Sequence, residues 1–253
     1  MSISGKHTFA LYCHPLSVGQ KPFFDQTIEV ADKELWHRVI HILRLTVGEE
    51  IILFDGTYEA TIKLSAKTFA GKNKIIGLVL EAKISTPITP NIILMPSLLK
   101  REAFETVIYL AAQMGVTTIQ PLIATKTHRA WNGDKERARL TSIMIAACEQ
   151  AKNFVIPELK NPIHLHDLVK PPCGIYFEDD GILLADTAKQ LIAGKPEAIT
   201  LVFGPEGGLM ATERQHLDMC GFMCCALTPT ILRAQEAVAV GLGSIRSLLL
   251  RRK

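Results

Sequence analysis

The sequence lacks long hydrophobic segments. Nowhere do about eighteen apolar residues follow one another, and the N-terminal stretch has no basic flank followed by a sustained apolar run. These absences exclude a membrane-spanning helix and a secretory signal of the usual kind, so we expect a cytoplasmic protein with no membrane partner. In that compartment the six cysteines, two of them adjacent at Cys224 and Cys225, are expected to be reduced thiols.

The charge balance is also nearly even. The 253 residues carry a formal net charge of +3, and 21% of them are charged. Such a small excess is only a weak indication of an acidic partner, and basic clusters such as Lys100-Arg101 and residues 126–129 carry more information. Each cluster alone is most often just a solvated surface.

The first 85 residues are rich in short β-type runs separated by turn residues. The runs are TFALYC, QTIEV, EEIILFDG, EATIKLSA and KIIGLVLEA. They predict a small β-barrel or sandwich with one helical insert, in which Leu35, Val39, Ile42 and Leu43 share an apolar face. Two prolines in STPITP, residues 85–90, indicate a linker. We therefore predict one domain over 1–85 and another over 86–253.

From residue 91 onward, apolar strands alternate with amphipathic helices. The helix predicted over 98–115 has one apolar stripe and a stop signal at Gly115; the stripe consists of Phe104, Val107, Ile108, Ala111 and Ala112. The run VTTIQPLIA, residues 116–124, is predicted to be the next strand. This alternation predicts an α/β domain with a parallel sheet and with ligands at the carboxyl ends of its strands.

One such end carries the segment GPEGG, from Gly204 to Gly208. Glycines permit unusual backbone torsions and the close approach of another molecule. The spacing matches neither the dinucleotide-binding nor the P-loop pattern, and Glu206 would repel a phosphate. From the residues alone, a structural turn and a ligand-binding loop are equally good interpretations. Thr212 and Gln215 form a candidate capping box for the helix that follows.

A second informative stretch, LTPTILRAQEAVAVGL, covers residues 227–242. Arg233 precedes a predicted helix, and Glu236 lies in its first turn. A carboxylate there has a simple explanation in the helix dipole, and Arg233 could merely pair with it. A functional role for the two residues is the competing interpretation.

Together the two stretches resemble the catalytic half of the SPOUT methyltransferases, specifically the family that methylates N3 of a uridine in 16S ribosomal RNA. The resemblance rests on GPEGG followed by Glu213 and on ILR followed by Glu236-Ala237. It extends to Gly115-Val116, to Glu149-Gln150, and to an N-terminal segment similar to the family's RNA-binding barrel. It therefore covers almost the whole chain.

The resemblance implies an N-terminal PUA-like β-barrel followed by an α/β domain tied in a trefoil knot. It also implies S-adenosylmethionine as cofactor, a homodimer, and the small ribosomal subunit with its 16S rRNA as partner. The residues that would bind the cofactor lie in the two stretches: Phe203, Gly204, Pro205, Glu206, Gly207, Gly208, Leu227, Thr228, Ile231 and Leu232.

For catalysis the resemblance implies Arg233 and Glu236. Uridine N3 loses a proton during transfer, and the guanidinium of Arg233 suits the charge that develops on the ring. Glu236 either positions Arg233 or acts as general base. Arg38, Arg44 and Arg129 are the candidate RNA-binding residues, and no metal is required.

Several positions depart from the family pattern. Leu110, Gln113 and Asn153 replace charged residues on two helices, Gln235 replaces threonine, and Met210 replaces serine after the glycine segment. These changes motivate a second hypothesis, an RNA-binding or ribosome-binding protein without catalysis. A third is a related enzyme that methylates another nucleotide or a ribose 2′-hydroxyl. A zinc site at His216, Cys220 and Cys224 ranks low because no fourth ligand lies nearby.

Overall fold

The structure, a computed structural model, describes residues 8–13, 25–70 and 73–250. The chain forms two compact units, Met1–Thr86 and Pro87–Lys253. Each unit has its own buried apolar residues, so each is described separately.

The N-terminal unit contains one five-stranded sheet. All five β-type runs of the sequence form strands, and the strands are β1 (Phe9–Tyr12), β2 (Thr27–Ala31), β3 (Glu50–Phe54), β4 (Tyr58–Leu64) and β5 (Lys74–Ile84). Their order is β1-β3-β4-β5-β2, with β1 parallel to β3 and the other pairs antiparallel. Alternate residues of the central strands, such as Ile51, Leu53 and Ile62, are fully buried.

The helical insert of this unit departs from the predicted face. Helix α1 (Lys33–His37) continues as one π-helical turn over Arg38–Ile42. Leu35 and Val39 are buried as predicted, but Ile42 is 64% exposed, so its prediction was wrong. A π-helical turn places more residues in each turn than an α-helix does, and the rotation carries Ile42 away from the core. A short helix, α2 (Ala66–Ala70), was not predicted.

The C-terminal unit is built on a six-stranded sheet whose pairings are all parallel. The strand order is β13-β11-β12-β6-β7-β9. These strands are β6 (Asn91–Pro96), β7 (Thr118–Ile119), β9 (Glu158–Leu159), β11 (Gly174–Leu183), β12 (Ala198–Phe203) and β13 (Met223–Ala226). A separate parallel pair joins β8 (Leu122–Ile123) to β10 (Ile163–His164). The predicted parallel sheet is therefore confirmed.

Five helices of the C-terminal unit follow or connect these strands. They are α3 (Arg101–Gln113), α4 (Gly133–Ala151), α5 (Leu184–Gly194), α6 (Ala211–Met219) and α7 (Ala234–Leu249). The predicted stripe of α3 is confirmed, since all five of its residues are completely buried. Gly115 follows α3 with φ +67°, the left-handed conformation that ends helices.

Two sequence predictions in this unit need correction. The single strand predicted over 116–124 is divided into β7 and β8, because Pro121 between them has no N–H to donate to a ladder. Helix α6 starts at Ala211, and its capping partner is Glu213, which accepts a hydrogen bond from Met210 N at 2.8 Å. The proposed pair of Thr212 and Gln215 does not cap it.

Within the described ranges, no helix combines the length and the apolar character that crossing a bilayer requires.

Candidate functional site

A cavity of about 700 Å³ opens at the carboxyl end of β12 and beside residues 177–179 in the middle of β11. Strands β12 and β6 are neighbours in the sheet. After β6 the chain continues to β7 and β9 on one side, and after β12 it continues to β13 on the other side. The cavity therefore lies at a topological switch point of the sheet. Two loops form most of its wall: residues 204–208 after β12, called here the glycine loop, and residues 227–233 after β13. All ten residues predicted to bind a cofactor, together with Arg233, line this one cavity.

The glycine loop is a hydrogen-bonded turn. Gly208 N donates to Pro205 O at 2.9 Å, and Gly208 has φ +70°, which other residues rarely adopt. A Cβ placed on Gly208 would meet no atom within 4 Å. Backbone torsion, rather than lack of space, therefore favours glycine at this position.

Two side-chain bonds fix the loop from outside. Glu206 Oε1 accepts from Lys100 N at 2.9 Å, which ties the loop to the start of α3. Lys126 Nζ donates to Gly207 O at 2.7 Å, and its side chain lies close over Gly207. The Glu206 carboxylate thus has a partner within the chain, and the loop is held before any ligand arrives.

Behind the loop lies a buried carboxylate, Glu213, which is 1% exposed. It accepts from Thr125 N at 2.7 Å, from Thr125 Oγ1 at 3.0 Å and from Met210 N. Burial alone would raise its pKa, but these hydrogen bonds to the ionised form outweigh burial and lower the pKa. Glu213 therefore connects Met210, just after the glycine loop, to Thr125, the residue before Lys126.

Two aromatic rings form part of the apolar wall. The Phe177 and Phe203 rings stack with centroids 4.6 Å apart. Helix α7 packs directly on them, because a Cβ on Gly241 would lie 2.7 Å from Phe203 Cζ. Glycine is needed here for close approach rather than for torsion.

Strand β11 is interrupted at the cavity. Phe177 and Ile182 both pair with Cys225, so residues 178–181, called here the acidic excursion, leave the ladder between them. Its first two residues, Glu178 and Asp179, line the cavity. Burial raises the pKa of Glu178, and the neighbouring Asp180 and Asp179 add to the rise, whereas Arg214 and the Leu209 N–H oppose it.

Arg233 and Glu236 occupy different positions relative to the cavity. Arg233 is the N-cap residue of α7, lines the cavity and is exposed. Glu236 is exposed in the first turn of α7, does not line the cavity, and accepts from Gln235 Nε2 at 3.2 Å. Within the part of the chain that the structure describes, no ion pair joins the two residues.

The three candidate RNA-binding arginines also differ. Arg44 is exposed with φ +53°, and Arg38 is partly exposed in the π-helical turn. Arg129 forms an ion pair with Glu136, donates to Leu99 O at 3.3 Å and lies 5.3 Å from the Phe104 ring centroid. These internal partners favour a structural role for Arg129.

The positions that depart from the family pattern are explained in part by packing. Asn153 is buried, and its amide donates to Ala112 O at 2.8 Å and to Val155 O at 3.2 Å. Gln113 donates to Gln150 on the neighbouring helix.

The three residues considered as zinc ligands lie apart from one another in part. His216 and Cys220 both contact Leu168 O, while Cys224 lies on β13. Among the residues described, no group of three or more potential ligands is arranged to hold a metal ion.

Sequence reasoning missed nine residues of the lining. They are Lys100, Ala103, Phe177, Glu178, Asp179, Thr230, Ala234, Gln235 and Ala237. For Phe177 to Asp179 a signal existed, since they close the run CGIYFED, residues 173–179, whose apolar residues are typical of a strand in a parallel sheet. For Lys100 and Ala103 no local pattern indicates the site, because only the adjacency of β6 and β12 brings α3 to the cavity.

Comparison with known proteins gives a consistent result. A family model described as an RNA methyltransferase domain matches residues 86–246. A ribosomal RNA small subunit methyltransferase E from Mycobacterium bovis is 25% identical over 232 residues, which cover 88% of each chain. The protein of the same name from Rickettsia conorii is 28% identical over 231 residues, 87% of this chain and 90% of that one.

The fold has solved counterparts. A ribosomal RNA small subunit methyltransferase E from Neisseria gonorrhoeae, whose crystal structure has S-adenosyl methionine bound, aligns with a TM-score of 0.78. The alignment covers 96% of this chain and 98% of that one at 24% identity. This likeness shows that the two chains share a fold.

Proposed function

The chain belongs to the family of RNA methyltransferase domains, and from that membership we propose that it methylates N3 of a uridine in 16S rRNA with S-adenosylmethionine as methyl donor. The single observation that carries the proposal is the convergence of the glycine loop, residues 227–232 and Arg233 on one cavity. Relatives named as methyltransferases of small-subunit ribosomal RNA support the substrate class.

The cavity suits this cofactor. Its volume of about 700 Å³ lies within the usual range for small-molecule sites. Backbone groups of the glycine loop offer hydrogen bonds, Phe177, Phe203 and Leu227 offer apolar contacts, and Glu178 offers negative charge. We propose that these residues hold the cofactor, together with the remaining predicted residues of both loops.

When bound, S-adenosylmethionine supplies an activated methyl group. The protein's contribution is then to orient the target nitrogen and to stabilise charge on the base. The Arg233 side chain has no hydrogen-bond or ion-pair partner within the described residues and lies at the cavity, so its guanidinium is available to O2 or O4 of uracil. The N-terminus of α7, whose residues Ala234 and Gln235 also line the cavity, adds a favourable dipole.

Glu236 is proposed as the group that accepts the N3 proton. A positioning role for it would require contact with Arg233, and the structure gives Glu236 a contact with Gln235 instead. Its carboxylate is exposed in the same first turn of α7 as the lining residues Gln235 and Ala237, which suits proton transfer to or through solvent.

The remaining features of the family are proposed for this chain on the same basis. Arg38 and Arg44 are proposed RNA contacts of a PUA-like N-terminal unit. A trefoil knot in the C-terminal unit is proposed from the family membership. A homodimer is supported by apolar residues exposed along the C-terminal segment, among them Ile231 and Val240.

Methyl transfer from labelled S-adenosylmethionine to small ribosomal subunits that lack the modification tests the function. Mass spectrometry of the nucleosides is expected to show N3-methyluridine. Another methylated nucleoside would overturn the target, and no label from a folded protein that binds cofactor would favour RNA binding without catalysis.

Arg233 is tested in the same assay. Arg233→Ala is expected to lower the rate about 100- to 1000-fold, as loss of a charge-stabilising donor does elsewhere. Arg233→Lys keeps the positive charge but lacks the planar guanidinium, and its rate is expected to lie between those of the wild type and Arg233→Ala. Wild-type turnover in Arg233→Ala would remove Arg233 from the mechanism.

A further inference from the structure

The acidic excursion of β11 is a fixed part of the cavity wall. Asp180 receives two hydrogen bonds from Arg214 Nη2, at 2.7 and 2.9 Å. Gly181 lies against the next strand so closely that a Cβ there would be 2.6 Å from the Cys225 carbonyl carbon. Irregularities of this kind often re-aim side chains beside active sites. With Phe177 paired to β13 directly before Glu178, these two anchors after it fix where Glu178 points.

Glu178 differs from the other carboxylates of the cavity. Glu206 is engaged by Lys100 N, and Asp179 is exposed. Glu178 is partly buried, and within the described residues no cation forms an ion pair with it, since the nearby Arg214 binds Asp180. Withdrawing a carboxylate from water without an ion-pair partner is unfavourable, and a cationic ligand in the cavity offsets that cost.

We infer that Glu178 is a specificity residue that supplies the counter-charge for the positively charged part of the cofactor. The inference rests on the proposed function and deepens it. S-adenosylmethionine carries a sulfonium and an ammonium group, S-adenosylhomocysteine carries only the ammonium, and 5′-methylthioadenosine carries neither. Glu178 therefore makes the site prefer the cationic donor to neutral adenosine compounds.

Calorimetric titration of the full chain with these three compounds, without RNA, tests the inference. Glu178→Gln is expected to raise the Kd of S-adenosylmethionine at least tenfold and to leave the Kd of 5′-methylthioadenosine within about twofold. Glu178→Asp keeps the charge and is expected to retain most of the affinity. Asp186→Asn, the matched control, removes one exposed carboxylate that does not line the cavity, and its effect on each Kd is expected to stay below about twofold.

Each outcome decides the matter. If Glu178→Gln loses equal affinity for S-adenosylmethionine and S-adenosylhomocysteine, the inference is supported and the ammonium lies at Glu178. If it loses more affinity for S-adenosylmethionine, the inference is supported and the sulfonium lies there. Parallel losses for all three ligands, or no loss for any, would overturn it. A folded wild-type chain that binds none of the three would overturn the proposed function, and this inference with it.

Discussion

At the scale of single residues, Lys126 shows how a side chain outside the cavity shapes it. Its ammonium holds Gly207 O, and its aliphatic carbons cover Gly207. We expect Lys126→Met to raise the Kd of S-adenosylmethionine three- to tenfold, because the loop loses a charge-assisted hydrogen bond that preorganises it. Lys126→Arg should restore part of the affinity, and Lys189→Met, at an exposed site on α5, should change nothing. An unchanged Kd with weaker RNA binding would instead make Lys126 an RNA contact.

Glu213 gives a prediction for stability against pH. Its pKa is lowered from the ordinary value of 4.5, so the folded protein binds its proton less readily than the unfolded chain. This contribution to the free energy of unfolding is present above about pH 4.5 and is lost as pH falls through the lower folded value. Urea unfolding at several pH values should show Glu213→Gln less stable by about 1–3 kcal/mol at pH 7. The difference should shrink below about pH 4.5, and a difference independent of pH would contradict the assignment.

At the scale of secondary structure, one arginine reinforces the apolar packing of helix α7. Arg246 donates to the backbone carbonyls of Ile88, Pro90, Met114 and Gly115 at 2.5–3.1 Å. Burial lowers its pKa to about 10, so it remains charged at neutral pH. These bonds join the last helix to the start of β6 and the end of α3.

Replacement of Arg246 should therefore destabilise the C-terminal unit strongly. Arg246→Met leaves up to four carbonyls without their donor, and we expect a loss of about 3 kcal/mol or more in the free energy of unfolding. Arg246→Lys should lose less, because one ammonium can still reach some of the carbonyls. Denaturant unfolding measures both variants, and a loss below about 1 kcal/mol in Arg246→Met would show that α7 docks without this clamp.

The same scale separates what sequence could and could not predict. The stripe of α3 was predictable because apolar residues at helical spacing have one stable arrangement, with that face buried. The π-helical turn that exposes Ile42 was not, because it depends on one shifted hydrogen bond, Leu43 N to Arg38 O, that periodicity does not encode. The acidic excursion could not be predicted for a similar reason. It becomes visible only in the pairing of β11 with β13, where Phe177 and Ile182 both pair with Cys225.

At the scale of the whole molecule, the two units divide the work in the proposed function. The segment 87–253 alone is expected to bind S-adenosylmethionine within about threefold of the full chain, because every residue of the cavity lies in it. Methylation of ribosomal subunits should fall steeply, since Arg38 and Arg44 are absent. Thermal shift with cofactor and the methyl-transfer assay measure the two properties. Full methylation by the segment would show that the N-terminal unit is dispensable.

For the candidate site, the sequence was informative about the two loops and uninformative about their neighbours. GPEGG and ILR are short, continuous motifs, and all ten predicted cofactor-binding residues and Arg233 line one cavity. Glu236 did not line it, although the neighbouring residues Gln235 and Ala237 do, and its carboxylate contacts the Gln235 amide instead. The bonds from Lys100 and Lys126 span 106 and 81 residues, distances over which sequence gives no local signal.

The Arg246 clamp also has a consequence for synthesis on the ribosome. Arg246 meets the Ile88 carbonyl across 158 residues, so at about 5–20 residues per second the strand that starts the unit waits roughly 10–30 s for its partner to be made. During that interval β6 and the end of α3 have no C-terminal helix to cover them. The nascent chain therefore acquires its complete cavity only after α7 has been synthesised, and a ribosome stalled before α7 emerges would display a chain without a complete site for the proposed methyl donor.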